Sequence, residues 1–418
     1  MLNILVRSLV NRRSTAMLTV FSIAISVTLL LGVEKIREGV RASFSSAVSG
    51  TDIIVGARGG QLQLLLYSIF RIGNAPNNLS WESYKQIRDN RKVRWTIPFS
   101  LGDSHRGYRV LGTNQNYFKY FRYGKKKKLE FSKGESFYEV FDAVIGSEVA
   151  KTLNYKLSEE IIIAHGTGKR SFLQHDDRPF KISGILRPTG TPVDQTVHVS
   201  LEGITAMHVD WESGAPPMEG ESLSLDEVLK LDLKPEEITS FLIGLKSKIH
   251  AFQIQRIINS YKEEPLSAIL PGVALQELWN ILRTAETGLR VITWFVLFTG
   301  LLGMITALLS GLNERRREMA ILRSVGAGPG TICFLLISES TVLTVTGIIF
   351  GMLFLYIALI ASQPILEAHF GLFISVDSLS YEDIILLVGI VLAGMFMGLI
   401  PAIKAYRQSL ADGMTVRL

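Results

Sequence analysis

One cysteine stands in 418 residues. It is Cys333, inside an apolar stretch near the C-terminus, so no internal disulfide can form and every folded part must be held by its core. Catalytic signatures are missing too, with neither a Gly-x-Ser-x-Gly elbow nor a His-Glu-x-x-His pair. The run Gly166 to Ser171 looks like a phosphate loop but has Ile163 where that loop needs Gly and Arg170 where it needs Ser or Thr. It reads as a turn. No fixed-period repeat and no long low-complexity tract occurs, which excludes solenoids and disordered arrays. Charge of one sign is absent from two places. The segment before Ala16 carries Arg7, Arg12 and Arg13 and no acidic residue, whereas residues 362–383 carry Glu367, Asp377, Glu382 and Asp383 and no Lys or Arg.

What is present is four long apolar stretches, at residues 16–33, 289–312, 331–361 and 384–400. A hydrocarbon core about 30 Å thick takes about 20 helical residues to cross, so each is a candidate span. The first exceeds the ~7–15 apolar residues of a signal peptide, and Glu34, Lys35, Ile36, Arg37 and Glu38 offer no small-residue cleavage site. It reads as a retained anchor. Upstream, Leu2, Leu5, Val6, Leu9 and Val10 share one helical face, which predicts an interfacial helix over residues 1–15. Arg315, Arg316, Arg317 and Arg323 follow the second span, and Lys404, Arg407 and Arg417 follow the last. The positive-inside rule therefore places both termini (the tail being residues 401–418) and the loop at 313–330 in the cytoplasm. Residues 362–383 and the long segment between the first two spans then face outward. The formal charge of +6 lies largely in these cytoplasmic flanks, and no recognition module surrounds the run Lys125 to Lys128, so nucleic acid is not an expected partner.

The fold class that follows is an α-helical membrane protein with four transmembrane helices, one plus three. A mixed α/β periplasmic domain (51–270) lies between the first and second and is carried on stalk helices at 34–50 and 271–288. The stalk reading rests on the stripe Val33, Ile36, Val40 and Phe44, and on Leu275, Leu278, Leu282, Ala285 and Leu289 at alternating steps of three and four. Strands are predicted at Asp52–Val55, Ile161–Ala164, Phe180–Leu186, Thr196–Val199 and Phe241–Leu245, and helices at Trp81–Arg88, Val144–Leu153 and Ala251–Tyr261. Within the domain, His175, Asp177, His198, His208 and Asp210 are candidate zinc ligands, because neutral imidazole and carboxylate together suit that ion. Their spacing is loose, and solvated loop residues are the simpler reading of the same set. In the spans, Gly347 and Gly351 form a Gly-x-x-x-Gly that permits close helix approach, expected at a dimer seam although packing within one chain uses the same residues. Glu339 is the ionisable exception in the spans, placed to snorkel or to pair with Arg323 or Lys404.

The loop after the second span reads Arg315, Arg316, Arg317, Glu318, Met319, Ala320, Ile321, Leu322, Arg323, Ser324, Val325, Gly326, Ala327, a short amphipathic helix stopped by glycine. It resembles the coupling loop of ATP-binding-cassette permeases of the macrolide-exporter, lipoprotein-release and cell-division type. The family pattern is matched by Arg315, Glu318, Met319, Ala320, Ile321, Leu322, Arg323, Gly326 and Ala327, with Arg316 adding charge. The ending Gly398 to Ala405 and the outer run Ile182 to Asp194 are similar to the same family, as is the one-plus-three layout. The resemblance implies a permease subunit of the bacterial inner membrane, not itself an enzyme. It implies no cofactor in this chain and ATP with Mg in two copies of a cytoplasmic ATPase. A second permease chain, as a homodimer, and a periplasmic partner protein complete the assembly it implies. ATP-driven motion would pass through the coupling loop and stalks to the outer domain, exporting or extracting a lipophilic or protein cargo by mechanotransmission. Two alternatives stay open, a zinc-handling system with a periplasmic partner and a non-transporting regulator of a periplasmic enzyme.

Overall fold

The computed structural model describes residues 12–166, 178–210, 223–314, 326–370 and 379–412. Helices of two turns or more are α1 (Arg13–Ala47), α2 (Trp81–Arg88), α3 (Leu201–His208), α4 (Ala251–Asn259), α5 (Pro271–Glu314), α6 (Pro329–Phe370) and α7 (Tyr381–Asp412). The four apolar stretches lie in α1, α5, α6 and α7, each long and apolar enough to cross a membrane. All four helices outrun the apolar stretches that nucleate them. At 1.5 Å per residue the 44 residues of α5 span about 66 Å, more than twice the ~30 Å hydrocarbon thickness. The segment expected as an outer loop at 362–383 is partly helix, since α6 continues to Phe370. Likewise α7 runs through Pro401 into the expected tail. The interfacial helix expected over residues 1–15 lies mostly outside the described residues.

The chain divides into two compact units. The membrane unit takes α1 through Glu38, α5 from Arg283, α6 through Gln363, and α7; the outer unit takes Gly39–Leu282 and the end of α6 from Pro364. Its centre is an eleven-stranded mixed sheet. Nine strands form the path, namely β1 (Ile53–Ala57), β2 (Val93–His105), β3 (Tyr108–Thr113), β4 (Phe131–Gly134), β5 (Asp142–Ile145), β6 (Phe180–Leu186), β7 (Thr196–Ser200), β8 (Ser240–Leu245) and β9 (Leu266–Ile269). Their spatial order is β9-β1-β8-β2-β3-β7-β5-β6-β4, with the short pieces Ala164–His165 and Glu160–Ile161 pairing with β2 and β6. Pairing is antiparallel except for β3 with β7 and β5 with β6.

Successive strand residues point to opposite faces, and that alternation builds two cores from one sheet. Ile54, Ile97, Phe99 and Leu242 join Leu64, Phe70, Tyr117, Leu275 and Leu278 on one side. Ile53, Val55, Phe241 and Ile243 join Tyr84, Ile87, Ile254 and Ile258 of α2 and α4 on the other. Both faces of β1 and β8 are therefore covered, which explains why these strands read as continuous apolar runs. Within the outer unit α1 and α5 meet through aromatic rings, Phe44 lying 5.7 Å from Trp279 and 4.3 Å from Phe70. The a/d stripe on α5 splits, however. Leu275 and Leu278 are buried, while Leu282, Ala285 and Leu289 are exposed.

Candidate functional site

In the membrane unit, small residues decide which helices touch. Ile23, Ala24, Val27 and Leu31 of α1 are fully buried. A Cβ built on Gly347 would lie 2.6 Å from Ile23 Cγ2, and one on Gly351 would lie 2.8 Å from both the Ala24 carbonyl oxygen and Val27 Cβ. Thr28 Oγ1 donates to the Gly351 carbonyl at 2.9 Å, and Ser26 Oγ donates to the Val296 carbonyl of α5 at 3.2 Å. The Gly347–Gly351 face, expected at a dimer seam, is thus occupied by the first helix of the same chain. The cause is plain: without a hydrophobic force between helices in lipid, the closest backbone approach goes to whichever helix can fill the notch. Gly394 and Gly398 of α7 make the same kind of room for Thr344 and Ser340 of α6.

Near the N-terminal end of α1, Glu339 is 5 % exposed and lines a small cavity with Arg12, Thr15 and Thr19. Arg12 Nη1 donates to the Gly311 carbonyl at 2.7 Å, tying the start of α1 to the end of α5. Lys404, one partner expected for Glu339, is exposed; the other, Arg323, lies outside the described residues. So do Arg315, Arg316, Glu318, Met319, Ala320 and Leu322 of the expected coupling segment. Gly326 is described. Its φ of 93° is open to glycine and strained for other residues, and Pro329 then opens α6 at the position where its missing N–H costs nothing.

Toward the other ends of the spans the charges pair. Lys35 Nζ lies 2.8 Å from Asp383 Oδ2, with side chains 10 % and 2 % exposed. Asp383 also accepts from the Ser380 backbone N–H at 2.9 Å while Ser380 Oγ accepts from the Asp383 N–H at 3.2 Å, a reciprocal cap on the start of α7. Glu34 takes Arg37 one turn away and Arg290 of α5 at 3.4 Å. Glu34, Glu38 and Glu382 form, among the described residues, the one cluster close enough to share a cation; Arg37 and Arg290 pair with Glu34, and Lys35 lies 3.7 Å from Glu38.

Among the described residues, none of the expected zinc ligands belongs to such a cluster. His175 and Asp177 lie outside the described residues. His198 is fully buried in β7, its Nδ1 donating to the Val144 carbonyl at 3.2 Å and its ring 5.0 Å from that of Tyr117. Burial, aided by the Arg71 charge, pushes its pKa down to about 3, so it is a neutral core residue. His208 Nδ1 meets the carbonyl of Ile204 on its own helix at 2.8 Å, and its Nε2 is 4.0 Å from Asp103. Asp210 is held by Arg178, which is 2 % exposed and forks onto both carboxylate oxygens, with Nη1 to Oδ1 at 2.9 Å. Burial opposes the charge on Asp210, but the Arg178 hydrogen bonds and charge win and hold its carboxyl below the usual range. Among the described residues, His198, His208 and Asp210 serve packing, a contact at the end of α3 and an internal ion pair.

Residues 16–255 match the family described as the MacB-like periplasmic core domain, and residues 290–410 match the FtsX-like permease C-terminal family. The chain belongs to the FtsX-like permeases with a MacB-like periplasmic core domain. No curated protein matches the permease in sequence. Among solved structures, the periplasmic region of MacB from Actinobacillus actinomycetemcomitans is 11% identical, covering 56% of the permease and 96% of its own chain at a TM-score of 0.32. The extracellular domain of YknZ, a noncanonic ABC-type transporter from Gram-positive bacteria, is 12% identical, covering 52% and 99% at a TM-score of 0.31. The permease accordingly has four membrane-spanning helices and a large domain outside the membrane.

Sequence reasoning missed the pairs that fasten the permease together. Lys35 and Asp383 stood at the edges of apolar stretches, where a lone charge signals only the end of a span. Arg178 was passed over beside the more conspicuous His175 and Asp177. Its complete burial in a chain segment rich in charge has no local signature, because the partner Asp210 comes from the far end of α3.

Proposed function

We propose that this permease converts ATP hydrolysis by a cytoplasmic ATPase partner into movement of its outer domain, and so exports or extracts a lipophilic or protein cargo. ATP and Mg belong to the partner ATPase, of which two copies serve a pair of permease chains. The observation that carries the reading is helix continuity. α1 and α5 run unbroken for 35 and 44 residues, and each contributes to both the membrane unit and the outer unit. Displacing one end of an unbroken hydrogen-bonded helix displaces the other, whereas a loop would absorb the motion. Packing inside the membrane unit favours the same reading. Among the described residues, Gly347, Gly351, Ser26 and Thr28 meet apolar side chains and backbone in the middle of the seams, while Arg12 with Glu339 and Lys35 with Asp383 lie toward opposite ends of the spans. A polar substrate path would instead show a continuous chain of ionisable groups.

The second chain is best accommodated on α5, where Leu282, Ala285 and Leu289 keep a/d spacing and are exposed. The coupling segment Arg315 to Gly326 receives the ATPase. The test is to reverse charge at two of its positions, Glu318→Lys with Arg323→Glu, and co-purify the variant with the ATPase. The expected result is a folded, membrane-inserted permease that no longer retains or stimulates the ATPase. Retention of full ATPase association and stimulation would overturn the assignment.

A further inference from the structure

The outer unit contains a cavity of about 290 Å³ lined by Tyr67, Arg71, Asn74, Asn78 and Arg109 together with Gly73, Ala75, Leu101, Gly102 and Gly166. Among the described residues, none that lines it is acidic. Arg71 Nη1 donates to the Ser68 carbonyl and its guanidinium stacks 4.8 Å over the Phe99 ring, with Nε sealed from solvent and without a hydrogen-bond partner among the described residues. Arg109 donates to Asn74 Oδ1 and to the Gly73 carbonyl, both at 3.1 Å. Neither guanidinium has a carboxylate partner among the described residues. Burial lowers the pKa of each; at Arg71 the Tyr117 hydroxyl opposes that shift and the Arg109 charge adds to it. Partly desolvated charges in proteins are normally paired, because desolvation without a counter-ion is costly. Here two half-buried like charges face one cavity with no carboxylate partner among the described residues.

The backbone is specialised at the same place. Leu66–Phe70 is a turn of π-helix, a form that is rare and recurs at functional sites. Arg71, which ends it, has φ 60° and ψ 24°, a left-handed conformation that is uncommon for a residue with a Cβ. That conformation is what brings a guanidinium to the cavity where a helical continuation would carry it past. At ~30 Å³ per water, the volume holds about ten waters, enough for a head group and too little for an acylated chain.

We propose that this cavity binds the oxyanion head of a small ligand, a phosphate or a carboxylate, between Arg71 and Arg109. The guanidinium N–H groups donate to the anion's oxygens, and Asn74 and Asn78 offer amide groups at the rim. The same chemistry serves a free anion or the exposed head group of an anionic lipid. The site stands on its own geometry and does not depend on how ATP hydrolysis is coupled.

The experiment is calorimetric titration of the full chain in neutral detergent, first with sodium phosphate and then with dihexanoyl phosphatidylglycerol below its micelle concentration. Arg109→Gln is the primary variant, since it removes charge from a half-buried side chain; Arg71→Lys keeps the charge and loses the fork. Arg94→Gln, on the exposed surface, matches the change in net charge. Saturable phosphate binding, weakened at least tenfold by Arg109→Gln and by Arg71→Lys and unchanged by Arg94→Gln, is the expected result. Binding of the lipid alone, lost in the same variants, supports the site and assigns the head-group source. No saturable binding of either, or binding that survives both cavity substitutions, overturns the proposal.

Discussion

Lys35 and Asp383 form a salt bridge of 2.8 Å between the first and last membrane-spanning helices, and Asp383 at the same time completes the reciprocal cap with Ser380 at the start of α7. One carboxylate therefore ends a helix and fastens it to another. Removing one partner of a buried pair leaves an uncompensated charge, which typically costs about 3–5 kcal/mol. Lys35→Ala is expected to lower the melting temperature of the solubilised permease sharply, and Lys35→Ala with Asp383→Asn to recover most of the loss. Thermal unfolding of the single and double variants checks this; equal damage in both would mean that the cap, rather than the pair, carries the effect.

Gly347→Leu and Gly351→Leu should damage the single chain before they affect any association between copies. The added side chains would meet Ile23 and the backbone of Ala24, and overpacking of this kind typically costs about 1–3 kcal/mol per site. Melting of the dilute, monomeric protein in detergent reads the effect. An unchanged melting temperature together with lost cross-linking between copies would return these glycines to an intermolecular seam.

His198 makes stability fall with acid well before most carboxylates titrate. Its folded pKa of about 3 lies below the ordinary 6.5, so the unfolded chain binds the proton that the fold excludes. The contribution is fully present above the unfolded pKa and falls by about 1.4 kcal/mol per pH unit below it, until the folded pKa is reached. Melting measured from pH 7.5 to 4.5 should show this slope in the native chain and lose it in His198→Gln. Parallel curves would place the acid sensitivity elsewhere.

Asp210 has the same sign of linkage in a lower window, and for a different reason. Arg178 holds its pKa below 3.8, so its stabilisation is present above the unfolded carboxyl pKa and lost only as pH falls through the lowered value. Asp210→Asn leaves Arg178 buried without its counter-charge and should cost about 3–5 kcal/mol at neutral pH. Limited proteolysis of the outer domain and thermal unfolding both report it. A variant as stable as the native chain would show that the carbonyls of Ala206, Met207 and Leu223 suffice for Arg178.

By itself the sequence determined the layout. Apolar length and charge asymmetry are additive along the chain, so the four spans, their one-plus-three order and the intervening domain follow from counting residues. The alternating start of Phe180–Leu186, with Lys181 exposed between buried Phe180 and Ile182, and amphipathic Trp81–Arg88 were legible for the same reason, since each carries its period locally. Val144 and Ile145 were read as the start of a helix and lie instead in β5, because two apolar residues fit either period and only the pairing with β6 and β7 decides. The tertiary structure alone decided the partners. Whether Gly347 meets a second chain or Ile23, whether His198 faces water or Tyr117, and whether Asp210 takes a metal or Arg178 are questions of long-range contact. So is the meeting of Arg71 and Arg109 at one cavity. No residue records which distant one will neutralise it, because that choice is made by the sheet order and helix packing that bring them together.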